Sequence, residues 1–258
     1  MSKILTYGGY ALTVGNNAVA ASALNPYTPI PPLTGRAIRV KLNPGEVPEP
    51  YYEEASATQV SQAENIWDIT YNSDNWDNLL QSNQEMVSVI AANTTGVTSM
   101  NSLFLACSDL KDVALFDTSN VTGMAGMFEE CVNLTAVPAY NTSAVKFMAG
   151  TFHECWAVSS LPNFNVANVE ENGYMCCGMR SLTALPDLNF TNKLTYAFAA
   201  FAYTQQAQGG IYNMYTKLAA LSPVPVHSGT FFHCGDNTQT GSAELARIPN
   251  AWKSDPWT

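Results

Sequence analysis

Charged residues are scarce in this 258-residue sequence, where Asp, Glu, Lys and Arg together make up 12%, about half the share usual for soluble domains. Basic residues are the scarcer kind, with 11 Lys and Arg against 21 Asp and Glu and a formal net charge of -10. Between Leu42 and Leu110 there is no Lys or Arg at all. Because phosphate recognition needs a basic face, this deficit argues against a nucleic-acid-binding protein.

The acidic residues of the same stretch form a solvated acidic face in the simplest interpretation. A cation site around Asp74 and Asp77 is the sharper alternative, although no loop there has the ligand spacing of a calcium site. The acidic residues are Glu46, Glu49, Glu53, Glu54, Glu64, Asp68, Asp74, Asp77, Glu85 and Asp109.

Long apolar runs are missing as well. The stretch from Met1 to Ala23 is mildly apolar, but Gly and Asn residues interrupt it, so we expect neither an export signal nor a membrane-spanning anchor. The Pro-rich run NPYTPIPPLTG, from Asn25 to Gly35, is typical of a semi-rigid spacer. Residues 1–35 are therefore predicted to form a docking arm and spacer.

Catalytic motifs are absent too: no nucleophile elbow, P-loop, dinucleotide fingerprint or HExxH occurs. Of the three histidines, His153 and His233 occupy corresponding repeat contexts and are interpreted as architectural, while His227 lies in a loop rich in Pro and Val. We therefore expect no enzyme, with no catalytic residue, no cofactor and no metal site.

What the sequence does contain is an internal repeat of 24 residues. Phe104, Phe128 and Phe152 are separated by this step. Because several columns keep one register, the repeat cannot be a chance pattern. The other columns are Val97, Val121, Val145 and Val169; Cys107, Cys131 and Cys155; Leu110, Leu134, Val158 and Leu182; Val113, Val137, Leu161 and Leu185; and Phe116, Tyr140, Phe164 and Leu188.

The spacing within a unit predicts a short helix followed by a short strand. Apolar residues from Val121 to Cys131 follow one helical face, and Ser119 or Asn120 is the predicted N-cap. Leu134–Tyr140 is predicted to be extended, because Pro138 cannot continue a helix. The predicted fold class is an α/β repeat, a leucine-rich-repeat-like solenoid of 24-residue units in which neighbours stack.

The ends of the repeat region are less regular. Alternating apolar residues at Arg36–Leu42 and Ile66–Tyr71 predict strands, so residues 36–75 should form a small β cap over the open edge of the solenoid. The solenoid with its degenerate C-terminal capping repeats is assigned to residues 76–258. A helix is predicted near Ile211–Leu221, where apolar residues recur at helical spacing.

Six cysteines are present, and Cys107, Cys131, Cys155 and Cys234 share one repeat column. They are interpreted as packed thiols, since a zinc site needs closely spaced ligand pairs and parallel side-chain vectors disfavour a disulfide. Of the adjacent pair, Cys176 is interpreted as packing and Cys177 as incidental.

The repeat resembles a known family. The segment FDTSNVTGMAGMF from Phe116, continuing as VTGMAGMFEECVNLTAVPAYNTSAV from Val121, is similar to the BspA-like leucine-rich repeats of bacterial surface proteins and mycoplasma lipoproteins. The resemblance covers about Asn93 to Leu194, although the unit at Val169 lacks the Phe and Cys of the pattern. It implies a surface protein that mediates adhesion.

Two flanking segments resemble proteins of tailed bacteriophages of gut bacteria. They are NIWDITYNSDNWDNLL before the repeats and CGDNTQTGSAELARIPNAWK after them. This resemblance implies a virion component, fibre-like and on the tail or head, assembled in the bacterial cytoplasm. Expected partners are other virion subunits through residues 1–35, further copies of the chain in a homo-oligomer, and a host glycan or surface protein. A bacterial cell-surface adhesin is the alternative.

Ligand binding should use residues between the core columns. The candidate binding surface comprises Phe147, Trp156, Lys146, Glu130 and Tyr174, with Glu129 and Glu170 beside them. Phe147 and Trp156 are the strongest candidates because exposed aromatic residues are common binding hot spots. Incidental packing against a neighbouring unit is the alternative interpretation.

Overall fold

The structure, a computed structural model, describes residues 3–7, 10–14 and 30–257. The chain forms two compact units, Met1–Pro32 and Leu33–Thr258. In the first unit, β1 (Lys3–Tyr7) and β2 (Tyr10–Val14) pair antiparallel. Residues 15–29 of the predicted docking arm lie outside the described residues. The docking role of the arm and the predicted boundary between residues 75 and 76 remain predictions.

A five-stranded sheet opens the second unit, in the order β4 (Ser56–Ser61), β5 (Ile66–Thr70), β3 (Ala37–Leu42), β6 (Met86–Asn93) and β7 (Asp112–Val113). The strands predicted from alternation are confirmed as β3 and β5. β3 is antiparallel to both of its neighbours, β5 and β6, whereas β6 and β7 are parallel. β3 therefore covers the edge that the first repeat unit would leave unpaired.

One buried ion pair lies in this sheet. Arg39 is 7% exposed, and its Nε and Nη2 donate to the two carboxylate oxygens of Asp68 at 2.6 and 2.7 Å. This two-pronged geometry satisfies both charges where β3 meets β5.

After the sheet, the chain winds into a stack of turns joined by single parallel bridges. The bridges run in order through Asn75, Ser99, Gly123, Phe147, Glu171, Tyr196 and Val226. Successive bridge positions are 24 residues apart up to Glu171, then 25 and 30 apart. The added residues before Val226 include α1 (Ile211–Ala219), within the region where a helix was predicted.

The predicted fold class is wrong, because the repeat units contain no helix. In the part of the chain that the structure describes, the only α-helices are α1 and α2 (Gln239–Ala246), and both lie after the 24-residue units. No strand occurs at Leu134–Tyr140 either. Regular structure is mostly sheet, and the units are built from turns rather than from alternating helices and strands.

The backbone hydrogen bonds explain why a helix does not form. Met127, Glu129 and Cys131 each donate to a carbonyl three residues earlier, at 3.1–3.2 Å. The intervening donors, Met124, Gly126 and Phe128, instead reach carbonyls of the next unit at 2.8–3.0 Å. An α-helix would use all of these donors internally, whereas here half of them join neighbouring turns.

Left-handed backbone also interrupts each unit twice. In the repeat unit that begins at Val121, the φ angles of Gly126 and Glu130 are 62° and 59°, a conformation that a right-handed helix cannot contain. The same two positions are left-handed in the neighbouring units, at Ser102, Ala106, Gly150, Glu154, Tyr174 and Gly178. Three-residue turns place apolar residues at i and i+3 just as a helix does, so the spacing misled the helix prediction.

The core is a column of stacked rings. The ring centroids of Phe104 and Phe128 are 5.4 Å apart, and those of Phe128 and Phe152 are 6.1 Å apart. Phe116, Tyr140 and Phe164 close the core from the other side of the stack. The repeat columns therefore form one continuous buried cluster, with Val113 and Leu161 partly buried against it.

The cysteine column is a stack of free, buried thiols, as predicted. The Sγ atoms of Cys107, Cys131 and Cys155 each donate to a carbonyl of the preceding unit at 3.0–3.1 Å. Burial raises the pKa of the Cys107 and Cys234 thiols to about 12. Cys107, Cys131 and Cys155 are therefore structural donors rather than reactive groups. The Cys234 Sγ instead accepts from the Thr204 hydroxyl at 2.9 Å.

The polar corner between units is an Asx turn, and the predicted N-cap at Ser119 or Asn120 is wrong. The side chain of Asp117 accepts from the backbone N–H of Ser119 at 2.9 Å. The buried hydroxyl of Thr118 donates to the carbonyl of Asn141 at 2.8 Å. This link ties one corner to the next and accounts for the recurring Asp/Asn-Thr-Ser sequence.

Candidate binding face

The outward residues of the three-residue turns form one surface, which we call the turn face. With Val97, Val121, Val145 and Val169 taken as position 1 of their units, the turn face consists of positions 3, 5, 6, 9, 10 and 12. In the repeat unit that begins at Val121 these are Gly123, Ala125, Gly126, Glu129, Glu130 and Val132. Two grooves lie on this face.

Groove A has a volume of about 330 Å³ and is lined by Glu129, Ala149, Gly150, His153, Gly173 and Tyr174. Its floor is made of small residues. At Gly173 a side chain would collide with the ring of Tyr196, which lies over this glycine. The predicted binding residue Tyr174 therefore forms part of a groove, together with a paired carboxylate and imidazole.

That pair belongs to a line of three side chains. Glu129, His153 and Cys177 all occupy position 9, in three successive units. His153 Nδ1 lies 3.0 Å from Glu129 Oε1, and its pKa is raised to about 10, first by a hydrogen bond with the Cys177 side chain and then by Glu129, against the lowering effect of burial. The imidazole is thus held in its charged form.

A thiol, an imidazole and a carboxylate arranged in line are the groups that form an activated thiol nucleophile in some enzymes. However, the Cys177 side chain is 3% exposed and lines neither groove. The line therefore fixes Glu129 and His153 as one wall of groove A and gives a substrate no access to the sulfur. The interpretation of Cys177 as incidental missed this contact, although the 24-residue spacing to His153 could have indicated it.

Groove B has a volume of about 360 Å³ and is lined by Gln84, Ala106, Ser108, Glu130, Val132, Glu154 and Trp156. Two of the predicted binding residues, Glu130 and Trp156, lie in it together. Trp156 is 39% exposed, and the guanidinium of Arg180 lies 4.1 Å from the centroid of its ring.

The remaining two predicted residues lie apart from both grooves. Phe147 is 39% exposed and forms one rung of the bridge ladder. Lys146 is exposed and makes a surface ion pair with Glu170 at 3.5 Å. The five predicted residues are therefore divided among groove A, groove B, the ladder and, for Lys146, a surface ion pair.

Beyond groove A, the turn face becomes aromatic toward its C-terminal end. The ring centroids of Tyr174 and Phe198 are 5.4 Å apart, those of Tyr203 and Phe232 are also 5.4 Å apart, and Trp257 lies 5.9 Å from Tyr203. Sequence reasoning missed this patch, because the units after Val169 depart from the 24-residue step and their outward positions are hard to align.

The carboxylate of Asp77, in the acidic stretch, is engaged in hydrogen bonds. It accepts from the Ser99 hydroxyl at 2.6 Å and from the backbone N–H of Asn101 at 2.7 Å. Among the residues that the structure describes, no cluster of three or more His, Cys, Asp or Glu side chains is arranged to bind a metal ion. Within the same residues, no helix has the length and apolar character needed to cross a bilayer.

The repeat units have a recognised family counterpart. Residues 74–189 match the family described as "Mycoplasma protein of unknown function, DUF285". This family is related to the BspA-like repeats of mycoplasma surface proteins, so the resemblance noted from the sequence is confirmed for this segment. The DUF285 segment covers less than half of the chain and includes every lining residue of both grooves. No curated protein and no solved structure matches the chain.

Proposed function

We propose that this protein is a non-enzymatic attachment protein whose turn face binds a molecule on the surface of a bacterial host. The observation that carries the proposal is the pairing of Glu130 with the exposed ring of Trp156 in one groove on a rigid stack. Aromatic side chains held on a rigid frame lose little conformational entropy when they bind. The outward residues differ from unit to unit and thus form the ligand-binding surface, while the interior residues repeat.

We place this attachment protein in a bacteriophage virion, as a fibre-like component of the tail or head that docks through residues 1–35. The resemblance of residues 65–80 and 234–253 to phage proteins, noted from the sequence alone, supports this assignment. In it, the chain assembles in the host cytoplasm, forms a homo-oligomer and is exposed on the particle. A bacterial cell-surface adhesin is the second candidate, favoured by the DUF285 match of residues 74–189.

An antibody against the purified protein separates the two candidates. We expect the antigen to sediment with phage particles released by lysis and to be absent from the envelope of uninfected cells. An antigen in the envelope of cells without phage would instead support the adhesin.

Attachment itself is tested by the binding of the labelled protein to intact host cells. A variant with Phe147→Ala, Trp156→Ala and Tyr174→Ala should lose most of this binding. The matched control is Leu115→Ala, which removes an exposed apolar side chain outside the turn face, at position 19. Equal binding by the triple variant and the control would contradict a role for the turn face.

A further inference from the structure

The ring of Trp156 is contacted by Arg180 and also lines groove B. Arg180, which covers it at 4.1 Å, belongs to the following unit. All the other residues of groove B belong to the same unit as Trp156 or to earlier units. Groove B therefore extends from Trp156 toward the earlier units and away from the unit of Arg180, which does not line it.

The indole is also held in place at its edge. Trp156 Nε1 donates to the carboxylate of Glu154, and Arg180 Nη2 lies 3.5 Å from the same carboxylate. Gly178 leaves the space that Glu154 occupies, since a side chain there would collide with the carboxylate. Trp156 is thus a fixed platform rather than a mobile surface ring.

Away from Trp156, groove B is lined by polar side chains and by small side chains. The exposed carboxylate of Glu130 makes no hydrogen bond or ion pair with any residue that the structure describes. Gln84 contributes an exposed amide, and Ala106 and Ser108 form a low floor between these polar groups and the indole. A ligand in the groove would meet one flat apolar surface and several free polar atoms.

We propose that groove B binds a single pyranose unit of a host glycan. The C–H face of the sugar ring stacks on Trp156, and its hydroxyls donate to Glu130 and bond with the amide of Gln84. The volume of about 360 Å³ is at the small end of ligand sites, which suits one ring. Because Glu130 and Glu154 are both acidic, neutral and amino sugars are favoured and acidic sugars are repelled.

This inference rests on the proposed function and names the ligand class of the attachment surface. Single-sugar sites of this kind bind weakly, with Kd values on the order of 1 mM. The measurement must therefore detect weak binding at a defined residue.

The experiment follows the indole N–H signal of Trp156 by NMR in the full-length ¹⁵N-labelled protein. The probes are N-acetylglucosamine, glucosamine, methyl galactoside and methyl mannoside, with N-acetylneuraminic acid as the acidic sugar. We expect at least one of the first four to shift the Trp156 signal saturably, and the acidic sugar to bind at least about tenfold more weakly.

Variants test which groups hold the sugar, with binding read from saturation-transfer signals of the sugar itself. Trp156→Ala should weaken binding about tenfold or more, and Glu130→Gln should weaken it several-fold. Leu115→Ala is the matched control, because Leu115 is an exposed apolar residue that lies outside both groove B and the turn face; it should bind the sugar as the unchanged protein does.

Ser108→Trp provides a test that leaves Trp156 intact, since it fills the floor of groove B and should abolish binding while the melting temperature is retained. The proposal is overturned if none of the sugars binds, or if Ser108→Trp binds as well as the unchanged protein. Attachment to cells without sugar binding would overturn this inference alone. Sugar binding without attachment would overturn the proposed function alone.

Discussion

The interior of the stack and its turn face differ although the same turns build both. Inside, position 8 is Phe in three successive units and position 11 is Cys in the same three units. On the turn face, position 9 changes from Leu105 through Glu129 and His153 to Cys177. Repetition inside preserves the stacking, and variation on the turn face mainly changes what the surface can bind.

Removal of a ring from the interior should have the largest effect. Phe128 is stacked between Phe104 and Phe152, so Phe128→Ala should lower the free energy of unfolding by about 3–5 kcal/mol. Phe147→Ala, on the turn face of the neighbouring unit, should cost less than about 1 kcal/mol. Urea unfolding followed by circular dichroism measures both changes in the free energy of unfolding. Similar losses for the two variants would contradict the distinction between the interior and the turn face.

At position 4, the unit that begins at Val169 replaces a repeated apolar residue with a buried polar one. Asn172 stands at position 4, where the three preceding units have Met100, Met124 and Met148. It is 0% exposed, and in the described part of the chain neither polar atom of its side chain has a hydrogen-bond partner.

Restoring the repeat residue should therefore stabilise the protein. Because an unpaired buried amide costs about 1–3 kcal/mol, Asn172→Met should raise the free energy of unfolding by about that amount. The reverse change, Met124→Asn, is the control and should lower it. Destabilisation by Asn172→Met, measured in the same urea experiment, would contradict this prediction and show that the Asn172 amide stabilises the folded interior.

The smallest effect concerns the turn face. The pKa of His153 is raised from 6.5 to about 10 in the folded protein, by the Cys177 side chain and then by Glu129. The folded state therefore holds this proton more tightly than the unfolded state. The resulting stability is fully present below about pH 6.5 and is lost as the pH rises through about 10.

We expect this contribution to be about 1 kcal/mol, because His153 is partly exposed and solvent screens its charge. The measurement compares thermal or urea unfolding of the unchanged protein and His153→Gln between pH 6 and pH 10.5. Their difference in stability should shrink as the pH rises. His233→Gln removes an imidazole from the corresponding repeat context and serves as the control; a constant difference for His153→Gln would contradict the assignment.

Several features could be predicted because they depend on neighbouring residues or on a repeated step. Alternation identified β3 and β5, helical spacing identified α1, and the 24-residue columns identified the buried rings and thiols. Trp156 and Glu130 were selected as outward residues, but their sharing of one groove could not be seen from one sequence. The aromatic patch near Trp257 was missed because the units after Val169 depart from the 24-residue step.

The sequence alone determined which residues face inward, because a 24-residue step repeats the same side chains wherever the chain returns to the same place. Only the tertiary structure decided that the units are turns and not helices. An apolar residue at every third or fourth position is compatible with both a helix and a series of three-residue turns. In a helix every backbone N–H donates to an acceptor in the same helix, whereas in these turns alternate N–H groups donate to acceptors in another unit. In this protein those acceptors lie one unit further along the chain, so stacking itself selects the turn.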